Sequence, residues 1–273
     1  MAARDGDDAA LRTDWAGVTH PRAGAARIAC LVPSITESLF ALGLGPHVVA
    51  RTGFCVHPRD AVRRLPKVGG TKDPDLSALA ALAPTHLVVN VDENRREVVD
   101  AARAFVPHVI VTHPAGPQDN ARLLRLLGAV FGRDAQAQAI AADVEAALAV
   151  LDAAGAALPR ERVLYLIWRG PWMTVSRGTY VGATLARSGW DTLPDDDGAR
   201  YPVVDEDAPA WRVAARILLA TEPFAFRERD AVALSARLRK PVHVVDGEWT
   251  SWYGVRAREG LRALAAFRAS LQR

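Results

Sequence analysis

The chain lacks any apolar run long enough to cross a bilayer. Its longest apolar candidates, residues 28–33 and 87–91, are of strand length, whereas a membrane-spanning helix needs about 20 apolar residues. The first eight residues are polar and acidic, with no apolar segment ahead of a cleavage site, which is the opposite of a secretory signal. We therefore expect a cytoplasmic protein, or a periplasmic one if the true start lies upstream.

The chain also has few cysteines and only a small excess of one sign of charge. Cys30 and Cys55 are the only two cysteines, so no disulfide framework is expected, in agreement with a reducing compartment. The 34 basic and 31 acidic residues are mixed along the chain and give a net charge of +3. Without a block of Lys and Arg interleaved with aromatic residues, nucleic acid is not an expected partner.

Three common motifs of catalysis and nucleotide binding are missing. The segment 69–72, Gly-Gly-Thr-Lys, lacks the spacing of a phosphate-binding P-loop, although an anionic group of a ligand can still dock there. The segment 43–45 lacks the third glycine of a dinucleotide fingerprint. No Gly-x-Ser-x-Gly elbow occurs, and Ser34 is interpreted as the N-cap of a helix, in a capping box with Glu37, rather than as a nucleophile.

Strand patterns alternate with helical patterns in both halves of the chain. Such alternation is typical of a parallel, doubly wound sheet, so the predicted fold class is α/β with two Rossmann-like lobes. Helices are predicted to begin at Ser34, near Asp75 and at residues 92–94, and the last one covers about 256–271. The predicted strands are 27–32, 48–52, 86–91, 109–111, 163–168, 217–220 and 242–245.

A long helical pattern separates the two halves. Apolar residues recur at three- and four-residue steps from about 118 to 158, interrupted at 131–134. One kinked helix and two abutting helices are both compatible with that interruption. The predicted organisation is a flexible N-terminal tail at 1–25, an N-terminal α/β lobe at 26–116, a connecting helix at 117–158 and a C-terminal α/β lobe at 159–273.

The unusual residues follow the strands. Ligands of parallel sheets bind at the carboxyl ends of the strands, and aromatic side chains in such loops can stack on a flat or bulky ligand. The alternative is that some of them pack over the ends of the sheet. The loop aromatics are Trp168, Trp172, Trp249, Trp252 and Tyr253.

Two further groups have a chemical interpretation. Cys55 and His57 are within reach of one metal ion such as zinc or iron, or a corrinoid cobalt, with a third ligand from Glu93, Glu222 or Glu248. Alternatively, they are an ordinary loop cysteine and a histidine that caps the backbone. Arg169, between Trp168 and Trp172, can bind a carboxylate or phosphate while stacking on a ring. A structural Arg–Glu pair is the alternative for Arg169.

Several of these segments together carry a family resemblance. Leu31–Glu37, Phe54–Pro58 and Val68–Lys72, with the long inter-lobe helix, resemble the helical-backbone substrate-binding proteins that serve importers of cobalamin, haem and iron-siderophores. The resemblance covers about residues 14–273 and is strongest to a cobalamin-binding-like branch without a signal peptide. Its other carriers are Asp92–Arg95, Tyr165–Arg169 and Asp246–Glu248.

The resemblance implies a non-catalytic binding protein that holds cobalamin, haem or an iron-siderophore in an inter-lobe cleft, with no covalent cofactor. We expect the protein to be a monomer. It also implies an ABC-transporter permease as partner, docked through one acidic residue per lobe. Ser77 stands at the first docking position and Asp207 at the second, so one docking charge is replaced. The expected ligand-binding residues are Pro33, Ser34, Phe54, Cys55, His57, Gly70, Thr71, Lys72, Glu93, Asn94, Trp168, Arg169, Trp172, Tyr201, Glu222, Glu248, Trp249, Trp252 and Tyr253.

Two other functions stay open at the level of sequence. The first is a cytoplasmic corrinoid- or metal-handling enzyme that uses the loop of Cys55 and His57, with nearby carboxylates as acid or base. The second is a degenerate receptor kept as a protein-interaction module.

Overall fold

The computed structural model describes residues 9–195 and 198–271. Its chain divides into two compact units. The first comprises the described part of Met1–Pro114 together with Asp119–Val144 and Tyr253–Val255. The second comprises Ala115–Gln118, Glu145–Trp252 and the described part of Arg256–Arg273. Each unit contains one sheet.

The first unit is built on a four-stranded parallel sheet in the order β2-β1-β3-β4. Its strands are apolar and β-branched, as expected for strands that helices cover on both faces. The strands are β1 (Ile28–Cys30), β2 (Val48–Arg51), β3 (His86–Asn90) and β4 (His108–Thr112). The helices of this part of the chain are α1 (Pro33–Ala41), α2 (Arg59–Val62), α3 (Leu76–Ala81) and α4 (Arg96–Ala102).

The second unit has a mixed sheet in the order β6-β5-β8-β9, with β7 also paired to β5. Only β6 runs antiparallel to its neighbour. The strands are β5 (Glu161–Trp168), β6 (Met173–Thr174), β7 (Trp190–Thr192), β8 (Arg216–Ala220) and β9 (Val242–Val245). The helices are α7 (Tyr180–Arg187), α8 (Pro209–Val213), α9 (Glu228–Leu238), α10 (Glu248–Ser251) and α11 (Ala257–Ser270).

Two abutting helices occupy the predicted connecting segment. Helix α5 (Asn120–Phe131) ends at Gly132, which has the left-handed φ of 68°, and helix α6 (Asp134–Ala156) begins two residues later. Glycine reaches this conformation without a Cβ clash, so it ends the first helix cleanly. Helix α6 starts in the first unit and ends in the second. The fold class is therefore α/β with a long connecting helix. None of the helices in the described ranges has the length and apolar character to span a membrane.

Two predicted helix starts are wrong. Helix α1 begins at Pro33, with Val32 as N-cap and no side-chain cap; proline at N1 fixes φ and needs no amide partner, so Ser34 lies inside the first turn rather than capping it. Residues 92–94 form a turn, and helix α4 begins only at Arg96. Asp75 is confirmed as the N-cap of α3, because its carboxylate accepts from the amides of Ser77 and Ala78.

Candidate ligand-binding site

Three loops of the first unit meet at one edge of its sheet: two follow the neighbouring parallel strands β1 and β3, and the third, which contains Thr71, follows helix α2. Asn94 connects them. Its Nδ2 donates to the Thr71 carbonyl at 2.8 Å and to the Leu31 carbonyl at 3.4 Å, while its Oδ1 accepts from the Asn90 amide at 2.8 Å. Asn94 is buried, and its amide group is occupied within the protein. It therefore positions the loops.

Tyr253 and Glu93 of the first unit are joined by a hydrogen bond between their side chains. The Tyr253 hydroxyl donates a short hydrogen bond to Glu93 Oε1. Burial, followed by the negative charge of Glu93, raises the pKa of Tyr253 well above its ordinary value, so the phenol keeps its proton. The next residue, Gly254, donates its amide to Asn120 Oδ1 at 2.6 Å. These bonds hold Tyr253 against the first unit and fix the Glu93 carboxylate.

Phe54 is the most exposed aromatic site residue of the first unit. Its side chain is 63 % exposed, and its ring edge lies 3.8 Å from the ideal Cβ position of Gly70. The Gly53 amide donates to the Gly69 carbonyl at 2.7 Å, which joins the two loops. Phe54 and the segment Gly70–Lys72 are therefore brought together, as the sequence predicts, with Lys72 exposed beside them.

Cys55 is buried at this edge, with 1 % of its surface exposed. Its sulfur lies 3.2 Å from Thr36 Oγ1 and 3.3 Å from Thr52 Oγ1. Burial and the neighbouring Cys55 raise the pKa of Cys30.

In residues 9–195 and 198–271, no three His, Cys, Asp or Glu side chains are grouped to hold a metal ion. The metal site at Cys55 and His57 stays a prediction.

The predicted third metal ligands all have other partners. Glu93 accepts from Tyr253, Glu222 Oε2 accepts from Trp252 Nε1 at 2.9 Å, and Glu248 Oε2 lies 3.0 Å from Arg256 Nη1. Arg256 is also 5.3 Å from the centroid of the Trp252 ring. Each carboxylate is thus hydrogen-bonded or ion-paired inside its own unit.

Trp168 and Tyr201 are the exposed site aromatics of the second unit. Their exposed fractions are 40 % and 39 %. Phe224 contacts the Trp168 ring edge-on, with centroids 5.6 Å apart. Sequence reasoning picked Glu222 from the loop that contains Phe224 and missed Phe224 itself, although an aromatic residue just after a strand was the available signal. Trp168 at the end of β5 and Phe224 after β8 are adjacent because the two strands are paired.

Arg169 lies over Trp172, with its guanidinium carbon 5.5 Å from the ring centroid. Its Nη1 is 3.5 Å from Asp230 Oδ1. The expected stacking of Arg169 on a tryptophan is present, and the acidic neighbour is an aspartate of the same unit. The side chain of Arg169 is more than half exposed, so it can also reach a ligand anion.

The other three predicted tryptophans pack within the second unit. Trp172 is stacked on Phe226 at 6.1 Å and joins the buried cluster around Trp211. Trp249 packs against Phe267 at 6.0 Å, and Trp252 is buried with its indole nitrogen bonded to Glu222. Packing over the end of the sheet accounts for these three, whereas Trp168 remains available to a ligand.

The two predicted docking positions are both exposed. Ser77 lies in the first turn of α3, where its amide donates to Asp75 Oδ1 at 2.9 Å. Asp207 lies in the loop before α8. Their role in docking stays a prediction.

Comparisons with known proteins agree on one type of protein. The family model described as "Periplasmic binding protein" matches residues 28–230. A vitamin B12-binding protein of Pectobacterium carotovorum is 22% identical over 237 residues, which are 84% of this chain and 83% of the relative.

Solved structures of similar fold cover almost the whole chain. The apo periplasmic haem-binding protein RhuT of Roseiflexus sp. RS-1 has a TM-score of 0.78 at 22% identity, covering 92% of this chain and 100% of its own. The periplasmic vitamin B12-binding protein BtuF of Vibrio cholerae has a TM-score of 0.79 at 19% identity, covering 91% and 98%. At these identities, the structural matches establish the fold.

Proposed function

The chain belongs to the periplasmic binding protein family, and from that premise we propose that it is a non-catalytic binding protein for a bulky metal complex. The ligand classes are a corrinoid such as cobalamin, haem, or a ferric siderophore. Relatives named for vitamin B12 and haem support this range. The observation that carries the proposal is the exposure of Phe54, Trp168 and Tyr201 at strand-end loops.

Exposed aromatic rings are unusual at the surface of a protein without a partner for them. A buried aromatic side chain removes about 150–250 Å² from water, so leaving one exposed forgoes much of that stabilisation. A large planar ligand recovers it by stacking. Lys72 is exposed in the loop whose Gly70 lies beside the Phe54 ring, and Arg169 follows Trp168 in sequence. The loops around both rings therefore offer a cation for the polar rim of such a ligand.

The geometry favours binding over catalysis at the loop of Cys55. A cysteine that acts as a nucleophile or redox group needs thiolate character and access, whereas the Cys55 sulfur is buried between two threonine hydroxyls. This supports our proposal that the chain is not an enzyme.

Four further predictions concern the position of the ligand, the boundaries of the lobes, the transporter partner and the cellular location. The sequence-based expectation that the ligand lies between the lobes, and the boundaries of those lobes, stay predictions. So does the ABC-transporter permease as partner, docked at Asp207 and at the position of Ser77, where a neutral side chain weakens the electrostatic attraction. The cytoplasmic location also stays a prediction, which cell fractionation with an antibody to the chain checks.

The direct test of ligand class is the ligand that co-purifies. Protein isolated from cells supplied with cobalamin and iron is read by visible absorbance and mass spectrometry after denaturation. A corrinoid, haem or siderophore in near-stoichiometric amount supports the proposal.

Substitutions of the exposed aromatic residues then test whether these residues bind that ligand. Phe54→Ala and Trp168→Ala are each expected to weaken binding about 5- to 150-fold, since a lost stacking contact is worth on the order of 1–3 kcal/mol. Val232→Ala is the matched control, because Val232 is an exposed apolar residue on α9 outside the predicted set. A ligand bound equally by all three variants would contradict the placement of the site.

A further inference from the structure

One segment of the first unit has a local excess of basic residues over acidic ones. Residues 51–67 contain five basic residues and one acidic residue, a net charge of +4, while the whole chain has a net charge of +3. The rest of the chain is therefore almost neutral overall. The basic residues of the segment are Arg51, Arg59, Arg63, Arg64 and Lys67.

Part of this segment lines a cavity of about 470 Å³. Arg51, His57, Arg59 and Arg63 contribute its cationic and polar wall, and Val56 and Val62 contribute apolar surface. No aspartate or glutamate is among the described residues that line it. The volume lies within the range of small-molecule sites, about 300–1,000 Å³, so the cavity can hold more than a lone ion.

Arg51 is held rigidly in the wall of this cavity. Its Nε donates to the Val62 carbonyl at 2.6 Å and its Nη1 donates to the Thr52 carbonyl at 2.9 Å. Both partners are neutral. Within residues 9–195 and 198–271, no carboxylate lies within ion-pair distance of Arg51, so its half-buried charge is oriented without being neutralised. A fixed cation of this kind is already arranged for an anion, which lowers the entropic cost of binding.

Arg59 and Arg63 extend the same positive field. They are four residues apart, at the first position and at the C-cap of α2, which places them on one face of this short helix. Both are exposed, and across the described ranges neither forms an ion pair. Three guanidinium groups around one cavity suit a ligand that carries more than one negative charge. Arg59 and Arg63 can each bind an oxyanion through two parallel hydrogen bonds, whereas Arg51, whose Nε and Nη1 donate to carbonyl oxygens, contributes its charge and Nη2.

We propose that this cavity is a binding site for a small organic molecule that carries a multiply charged oxyanion, either a phosphate ester or a polycarboxylate. The guanidinium groups bind the oxyanion, and the exposed side chain of Val56 contacts its carbon skeleton. The lining includes Cys55 and His57 of the expected ligand-binding set. The site goes beyond the proposed function because its basic residues Arg51, Arg59 and Arg63 are outside that set and because it requires no metal complex to be bound.

Calorimetric titration of the purified chain at low salt tests the site with three probes. Ribose 5-phosphate represents a phosphate ester, citrate a polycarboxylate, and ribose is the neutral control. We expect saturable one-to-one binding of at least one anion, no measurable binding of ribose, and weaker binding as chloride screens the charges. Which anion binds more tightly identifies the class of the oxyanion.

Single substitutions distinguish the cavity from general surface charge. Arg59→Gln and Arg63→Gln are each expected to weaken anion binding about tenfold, as expected for loss of one charge-assisted contact. Arg64→Gln is the matched control: Arg64 is adjacent, exposed and outside the lining, and the change in net charge is the same. Its affinity should stay within about twofold of the unsubstituted chain.

Two outcomes would overturn the proposal. One is that neither anion binds at millimolar concentration. The other is that Arg64→Gln weakens binding as much as Arg63→Gln, which would show attraction by net charge alone. Titrating the same preparations with cobalamin and haem separates the two proposals: anion binding without metal-complex binding would leave the cavity site intact and contradict the proposed function.

Discussion

Gly155 is the residue at which helix α6 approaches the α7–β7 turn of the second unit most closely. A Cβ atom at this position would lie 2.1 Å from the Arg187 carbonyl oxygen. Alanine normally stabilises a helix interior over glycine by about 1 kcal/mol. Here the backbone of the turn would have to move, so we predict that Gly155→Ala lowers the free energy of unfolding by about 1–3 kcal/mol.

Urea denaturation measures the effect. Ala153→Gly, at an exposed position of the same helix, is the control and should cost only the propensity difference, about 1 kcal/mol. If Gly155→Ala raised the stability, close approach at this turn would not be what selects glycine.

His86 gives the first unit a specific response to acid. It is buried, stacked on His108 with centroids 4.8 Å apart, and edge-on to Phe131. Burial, then the charges of His108 and His20, lower the pKa of His86 to about 4. Above its ordinary pKa of 6.5, both folded and unfolded states keep the ring neutral. As pH falls towards 4, only the unfolded state takes up the proton, so stability is lost.

The predicted loss between about pH 7.5 and pH 5 is about 2 kcal/mol from this group. Comparing urea unfolding at the two pH values for the chain and for His86→Gln checks it, because glutamine does not titrate. The variant should show a smaller decrease by that amount. The pKa of the nearby Asp14 is lowered despite its burial, because its carboxylate accepts hydrogen bonds from His20 and from backbone amides. Protonation of Asp14 therefore affects the stability only at lower pH. An unchanged decrease in the variant would contradict a neutral His86.

Single-residue roles are where sequence reasoning was least complete. Cys55 and Asn94 were identified because they follow strands, yet their burial depends on contacts with Thr36 and Leu31, which are distant in sequence. Phe54 and Trp168 have the expected exposure. Local sequence specifies which residue types stand in a loop, whereas tertiary contacts decide which side chains remain accessible.

At the scale of elements, helices α5 and α9 end in the same way with different residues. Gly132 and Arg239 both have left-handed backbone conformations, with φ of 68° and 52°. A residue with a Cβ pays about 1 kcal/mol for this conformation. We predict that Arg239→Gly raises the stability by about 0.5–1 kcal/mol and that Gly132→Ala lowers it by a similar amount.

Thermal and urea unfolding test both predictions: the free energy of unfolding should increase in Arg239→Gly and decrease in Gly132→Ala. Arg237→Gly, inside the last turn of α9, is the control for the first substitution and should destabilise by about 1 kcal/mol. Destabilisation by Arg239→Gly would mean that the arginine side chain contributes more than the backbone conformation costs.

Element positions were largely predictable because strand and helix periods differ. The strand at Val242–Val245 has the predicted bounds, and the last helix, predicted at about 256–271, covers Ala257–Ser270. The errors lie at helix starts. Pro33 at N1 replaces a side-chain cap, and the turn at 92–94 is stabilised by Asn90 Oδ1, which accepts from the Asp92 amide at 2.8 Å. Such local hydrogen bonds compete with the helix and are not visible in the hydrophobic period.

At the scale of the whole molecule, the sequence indicated two α/β halves and a helical connector, and the fold is of that class. The division of the connector into α5 and α6 at Gly132 was one of two open alternatives. The segment Tyr253–Val255 belongs to the first unit although it follows the last strand of the second. Its attachment depends on Asn120 and Ser38, far away in the chain, so no local pattern could predict it.

The measurement that tests the central claim most directly is a titration of the purified chain with cobalamin, haem and a ferric siderophore, followed by tryptophan fluorescence. Trp168 is exposed and belongs to the predicted site, so a bound chromophore should quench its fluorescence. The account predicts saturable one-to-one quenching by at least one of the three complexes, and a smaller amplitude in Trp168→Phe. No saturable response to any of them would contradict a receptor for metal complexes.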